Sequence, residues 1–173
     1  MIFPRGTVYS KLDAITRQVL WREGLNYGHG TGHGVGAGLL VHEPPAGVLP
    51  QDALHQFGIS EPPVEEHMVV TIEPGYYLEN KYGIRIESDY EVMVGPKRTD
   101  DLNEPAWLRF QPLTLVPFDR KLIDADLLSQ SEKSWLNHYY KKIRATLLPA
   151  LEIDNSISSN RTKIWILNQT EPI

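Results

Sequence analysis

The sequence predicts an α+β fold, on three observations. One helical pattern opens the chain, a second helical pattern follows residue 129, and strand-like runs broken by turn signals fill the interval between them. Elements segregated in this way belong to the α+β class.

The opening helix is expected over Ser10 to Glu23. Ser10 is a capping residue type, Asp13 suits the positive end of the helix, and Leu12, Ile15 and Val19 share one face. Gly24 supplies a left-handed stop. Tyr27 to Gly36 then carries too much glycine for a helix and suits backbone packed closely around a ligand. Gly38 to His42 reads as a short strand, and Pro44 to Pro63, with five prolines, as a loop.

Met68 to Ile72 is a nearly continuous apolar run, as expected of a strand covered on both faces. Pro74-Gly75 breaks it. Tyr82 to Val94 resumes as a second strand around Ile84, Ile86, Val92 and Val94, and Leu113 to Val116 reads as a shorter third. The closing helix opens at Ser129, which stands in capping-box spacing with Glu132. Leu136, Tyr139, Tyr140, Ile143 and Leu147 form its buried stripe, and Pro149 is expected to mark its end. Beyond it, Asp154 to Asn160 reads as linker and Lys163 to Leu167 as an edge strand.

Composition narrows the function. The 173 residues suffice for one domain, and the apolar (41%) and charged (23%) fractions are those of an ordinary globular protein. A formal net charge of -5 argues against a nucleic-acid partner, which would need a basic face. There is no cysteine, so disulfides and thiolate metal sites are excluded. No apolar run is long enough to cross a membrane, and Met1 to Thr7 lacks the layout of a secretory signal, so a cytoplasmic location is expected.

Four positions carry potential chemistry. His29 and His33 sit among glycines, His33 nine residues before His42; Glu73 closes an apolar strand, and Glu87 is expected inside the next. Carboxylates in apolar strands are costly unless a cation compensates them, and oxygen-rich ligation with one imidazole suits manganese, cobalt or zinc. Spacing alone leaves a second reading open, in which Glu87 pairs with Arg85 and Glu73 accepts backbone hydrogen bonds. His55, His67 and His138 read as surface or structural residues, and Glu61, Glu65 and Glu66 as a solvated acidic loop.

The ordered blocks His29-Gly30-Thr31-Gly32-His33-Gly34-Val35-Gly36, Val41-His42-Glu43, Thr71-Ile72-Glu73-Pro74-Gly75-Tyr76-Tyr77 and Tyr82-Gly83-Ile84-Arg85-Ile86-Glu87 resemble the successive signatures of the aminopeptidase P family. That family belongs to the pita-bread metallopeptidases, with methionine aminopeptidase, prolidase and creatinase. The fourteen-residue step from Glu73 to Glu87 agrees with it, as does the Pro117 to Asp124 block downstream. The likeness runs from about Phe3 to Leu151.

The resemblance implies a fold: the C-terminal half of a pita-bread domain, a curved and mainly antiparallel sheet backed by helices over residues 1–151, followed by a tail at 152–173 with no recognised counterpart. It also implies roles. His33, Glu73 and Glu87 match metal ligands, with Glu87 bridging two ions. His29 and His42 match catalytic histidines that also contact substrate, and Arg85 joins them as a substrate-binding residue. The implied reaction removes the first residue of a peptide with proline in second position, using a water or hydroxide shared by two divalent ions. Manganese is the expected ion, with zinc or cobalt as alternatives.

Two departures matter. The family's first two ligands are aspartates on preceding strands, and nothing here matches them, since Asp13 lies on the opening helix. The chain is therefore expected to be a fragment that holds at most one ion and has little activity alone, partnered by the missing N-terminal half or a second copy. His67, in turn, stands where a glycine is usual. The competing readings are a non-catalytic peptide-binding or interaction module on the same partial fold, and another pita-bread enzyme such as prolidase.

Overall fold

The computed structural model describes residues 1–38, 40–43, 47–48, 56, 58, 61–96, 106–154 and 156–173. They form two units, Met1–Thr114 and Leu115–Ile173. His55 and most of the expected 44–63 loop lie outside the described residues.

In the first unit a four-stranded sheet has the order β1-β8-β7-β4. Its strands are β1 (Ile2–Pro4), β4 (Val69–Ile72), β7 (Ser88–Val94) and β8 (Trp107–Pro112). Every pairing in it is antiparallel, with Phe3 opposite Leu108, Val92 opposite Phe110 and Val70 opposite Tyr90. Phe3, Val70, Val92 and Leu108 from the sheet close on Tyr9, Leu12 and Val64, with Met68, Tyr90 and Phe110 packed around them. Each large apolar side chain buried in this way contributes about 1.5–3 kcal/mol before entropy is counted.

Tyr9 and Leu12 come from helix α1 (Tyr9–Arg22). The helix begins one residue earlier than Ser10 suggests, and Val8 precedes it without a capping side chain. Glu61 supplies the cap from elsewhere in the chain. Its carboxylate accepts the Ser10 N–H and, at 2.8 Å, the Ser10 hydroxyl, which satisfies free donors at the positive helix end. Glu61 is thus a structural residue rather than part of a solvated acidic loop. The buried face also differs from the apolar pattern: Tyr9, Leu12, Asp13 and Arg17 are inside, whereas Ile15 and Val19 are 51% and 68% exposed. An oppositely charged pair won that face because it finds buried partners beyond the helix. Gly24 does stop α1 in the left-handed region, at φ 70°.

The expected strand over Tyr82 to Val94 is two strands. Gly75–Leu78 (β5) and Tyr82–Arg85 (β6) form a separate hairpin, closed at its base by the Ile86 N–H on the Pro74 carbonyl at 3.1 Å. The chain then crosses to the main sheet as β7. Of the four apolar positions assigned to that strand only Val92 is buried; Ile84, Ile86 and Val94 are exposed. The expected strand at Leu113–Val116 is displaced upstream to β8, where Trp107 pairs with β1, Phe110 with β7 and Leu108 with both. Gly38 and residues 40–42 bend instead of extending as a strand. The remaining pair, β2 (Gly32–His33) and β3 (Gly47–Val48), is short and antiparallel.

His67 explains its unusual identity. It enters β4 from the left-handed region at φ 68°, the conformation a glycine adopts freely. Its exposed ring lies 3.1 Å from Glu91 and 3.7 Å from Glu66. A left-handed non-glycine costs roughly 1–2 kcal/mol, and exposed ion pairs return less. His67→Gly is therefore expected to stabilise the chain by about 0.5–1 kcal/mol, read as a higher urea midpoint. A lower midpoint would show that the ring's two carboxylate contacts outweigh the backbone relief.

The second unit is helical. The helix α2 (Gln130–Ile153) opens with the expected capping box between Ser129 and Glu132, and the Ser129 hydrogen bonds hold the Glu132 carboxyl below its usual range. Leu136, Tyr139, Tyr140 and Ile143 are buried, with Leu147, Leu148 and Leu151 packed beside them. Pro149 lies inside the helix rather than at its end. It forfeits one backbone bond, and the packing of Leu148 and Leu151 on either side carries the helix through. Residues expected as linker and edge strand form a helix, α3 (Ile157–Gln169). Ser156 caps it through the Ser159 N–H at 3.1 Å, and Ile166 is buried in the same cluster as α2. The run Ile164-Trp165-Ile166 favours a strand by propensity, but the cap and this packing decide for a helix.

Candidate metal centre

The short strand β2 places the first candidate ligand. Gly32 passes so close to β4 that a Cβ there would lie 1.9 Å from the Thr71 carbonyl oxygen. That approach lets the His33 N–H donate to Thr71 Oγ1 at 3.0 Å, and the Thr71 hydroxyl donates in turn to Glu73 Oε1 at 3.1 Å. One hydroxyl thus joins two candidate ligands. The Glu73 N–H donates to the Thr31 carbonyl at 2.7 Å, so the end of β4 is tied to the histidine loop.

The His33 ring has a fixed tautomer. Its Nδ1 lies 2.9 Å from the Gly34 carbonyl, which can only accept, so Nδ1 carries the proton. Nε2 then points at Glu73 Oε1 from 3.4 Å. Two lone pairs facing each other at that distance repel, and a proton or a cation between them resolves the conflict. Glu87 completes the group: ligand atoms of His33, Glu73 and Glu87 all lie within 4.8 Å of one another. An imidazole nitrogen and two carboxylates converging, with the other polar atoms of His33 and Glu73 already engaged, make a donor set that fits a divalent ion such as manganese or zinc.

The burial of the three is graded. Glu73 is buried, His33 half-buried and Glu87 exposed. Glu87 also lies outside any strand, between β6 and β7. The expectation of a desolvated carboxylate closing an apolar strand therefore holds for Glu73, just beyond β4, and that of one inside the next strand is wrong for Glu87, because the chain changes sheets at that point. In place of the alternative pairing of Arg85 with Glu87, Arg85 Nη1 lies 3.4 Å from Glu73 Oε2.

Arg85 belongs to a chain of donors leading to His29. Its Nε donates to the Tyr77 hydroxyl at 2.9 Å, and that bond, with Glu73 and Glu87 beyond it, raises the guanidinium pKa further. The His29 Nδ1 lies 2.8 Å from the Gly30 carbonyl and so carries the proton; Nε2 accepts from the Tyr77 hydroxyl at 2.9 Å. His42 stands apart from this chain, exposed, with its ring 4.0 Å from that of His33. The histidine loop itself is held from below by Arg17, whose guanidinium reaches the carbonyls of Tyr27 (2.8 Å) and His29 (2.6 Å).

Sequence reasoning missed Arg17, Thr71 and Tyr77. Each left a trace. Thr71 is the polar residue within an apolar run, Tyr77 closes a signature block, and Arg17 follows Asp13 by four residues on the face of a helix. His67 and His138 are where expected, on the surface or in local contacts, the latter with Nδ1 3.1 Å from the Ser134 carbonyl.

Comparison with known proteins decides the lineage. Residues 1–93 match the model of metallopeptidase family M24, and residues 106–173 match that of the C-terminal region of peptidase M24. The chain belongs to metallopeptidase family M24. Among M24 proteins it is 41% identical over 171 residues to a probable Xaa-Pro aminopeptidase P of Sordaria macrospora, covering 99% of this chain and 26% of the relative. A counterpart from Paracoccidioides brasiliensis is also 41% identical, over 173 residues. The chain spans about a quarter of the length of these relatives. Its structure resembles the X-prolyl aminopeptidase of Caenorhabditis elegans, a cytosolic enzyme with a di-nuclear active site, with a TM-score of 0.87 and 35% identity over 100% of this chain and 26% of that one. The mixed helical and antiparallel architecture is accordingly that of the pita-bread M24 peptidases. No described helix is long and apolar enough to cross a membrane.

Proposed function

We propose that this M24 chain contributes three ligands, His33, Glu73 and Glu87, to the metal centre of a peptidase that removes the N-terminal residue from peptides with proline in second position. The carrying observation is the convergence of those three donors within 4.8 Å, with His33 already fixed in the tautomer that frees Nε2. The Xaa-Pro aminopeptidases among its relatives supply the substrate class. Manganese suits one imidazole among carboxylates, and the cytosol is the compartment of the C. elegans relative.

A divalent ion held there would polarise the scissile carbonyl and make a water molecule nucleophilic at neutral pH. The chain's own residues do the rest. Glu87, exposed between two strands, would serve a second ion as well. Tyr77 donates to His29 Nε2, so His29 would meet substrate as an oriented ring. His42, exposed against His33, is positioned to donate to a developing oxyanion. Arg85 offers a permanent cation beside Glu73 for the substrate's polar backbone.

The test is manganese stoichiometry of the purified chain. About one ion per chain is expected, lost in Glu87→Ala while the fold is kept. Absence of specific binding by the unaltered chain would sink the proposal.

A further inference from the structure

The ligand set leaves one buried charged pair unused. Asp13 and Arg17 are each 4% exposed, one turn apart on α1, with Arg17 Nε donating to both Asp13 oxygens at 2.8 and 3.0 Å. A pair that served only itself would leave the rest of the guanidinium unsatisfied. Instead every remaining bond goes to one short segment. Nη1 donates to Asn26 Oδ1 at 2.9 Å and to the Tyr27 carbonyl at 2.8 Å; Nη2 donates to the His29 carbonyl at 2.6 Å. The guanidinium carbon also lies 3.9 Å from the centre of the Tyr27 ring.

Asp13 grips the same segment from its other side. The Thr31 hydroxyl donates to Asp13 Oδ1, and the Tyr27 hydroxyl donates to Thr31. Burial keeps the Tyr27 phenol above its usual pKa, so it remains a donor. The pair therefore fixes residues 26–31 at both ends, with His29 between them. The metal ligands are held differently: His33 by Thr71 and Gly34, Glu73 by Thr71 and Arg85, with the Thr31 carbonyl as the one shared anchor.

Buried ion pairs are weak stabilisers, because desolvation offsets most of their attraction. Four bonds aimed at the backbone and side chains of a single loop call for a geometric role. We propose that Asp13 and Arg17 are positioning residues for His29, setting its backbone so that its ring meets Tyr77 and the substrate side of the centre. This rests on the reading of His29 as a working group of that centre. Lysine cannot substitute for arginine here, since a single ammonium lacks the planar fork that reaches two carbonyls at once.

Long-range proton–nitrogen spectra of the histidine rings, recorded on the metal-free chain at about pH 8 where imidazole is neutral, test the idea. In the unaltered chain His29 should show its proton on Nδ1. In Arg17→Lys and in Asp13→Asn the His29 signals should average between tautomers, while His33 keeps its Nδ1 proton and unfolding stays cooperative. Manganese affinity should fall by less than the roughly tenfold that marks loss of a group supporting a ligand. The proposal is overturned if His29 keeps its tautomer in both folded variants, if His29 and His33 lose order together, if His29 is averaged in the unaltered chain, or if neither variant folds. A chain that binds no manganese would defeat the metal-centre reading and leave the tautomer comparison to decide this one.

Discussion

Glu73→Gln is expected to abolish specific manganese binding, lowering affinity by more than the 10–100-fold typical of losing a supporting group. Glu73 does three things at once in the structure. It faces His33 Nε2 at 3.4 Å, accepts the Thr71 hydroxyl at 3.1 Å, and lies 3.4 Å from Arg85 through its second oxygen. An amide keeps the size and can still accept from Thr71, but it removes the negative charge that faces both a cation site and a guanidinium. The fold should survive, with a melting temperature within a few degrees of the unaltered chain, because α1 and the main sheet bury their core independently of this carboxylate. Calorimetric titration with manganese, paired with thermal unfolding by circular dichroism, reads both halves of the expectation. Unchanged affinity in a folded variant would place the donors elsewhere.

The second large effect is steric. Gly32→Ala puts a methyl group 1.9 Å from the Thr71 carbonyl oxygen and 2.8 Å from its carbon, both of them backbone atoms of a paired strand. Neither can rotate away, so the two segments must separate. The cost is expected at about 1–3 kcal/mol, the range for overpacking a tight contact, seen as a lower denaturant midpoint. Separation also breaks the His33 N–H bond to Thr71, so manganese affinity should drop together with stability. A variant as stable as the original would mean that β2 and β4 are not in contact in solution.

Much of this molecule was legible in the sequence where local chemistry decides the outcome. The capping box at Ser129 and Glu132, the apolar stripe of α2 and the left-handed stop at Gly24 are all contacts within one or two turns. What was misread depends on distant partners. The cap of α1 comes from Glu61, some fifty residues away, and α3 is decided by the burial of Ile166 against α2. Periodicity puts Glu87 in a strand because apolar alternation runs unbroken from Ile84 through Ile86, and it carries no sign that a chain changes sheets. The signature blocks point to the candidate ligands but not to the residues that orient them: Thr71, Tyr77 and Arg17 act through hydrogen bonds to partners distant in sequence, which periodicity does not reveal.

The Thr71 hydroxyl accepts from the backbone of His33 and donates to the carboxylate of Glu73. Two ligands from separate strands consequently share a single hinge pin. A change at that position reaches both in one event, although His33 keeps its Gly34 bond and Glu73 its contacts with Arg85 and the Thr31 carbonyl. Tolerance to change at this position should therefore split in two: substitutions that keep a hydroxyl would be nearly silent, and those that remove it would loosen both ligands together, at roughly the 10–100-fold cost in affinity of losing a supporting group.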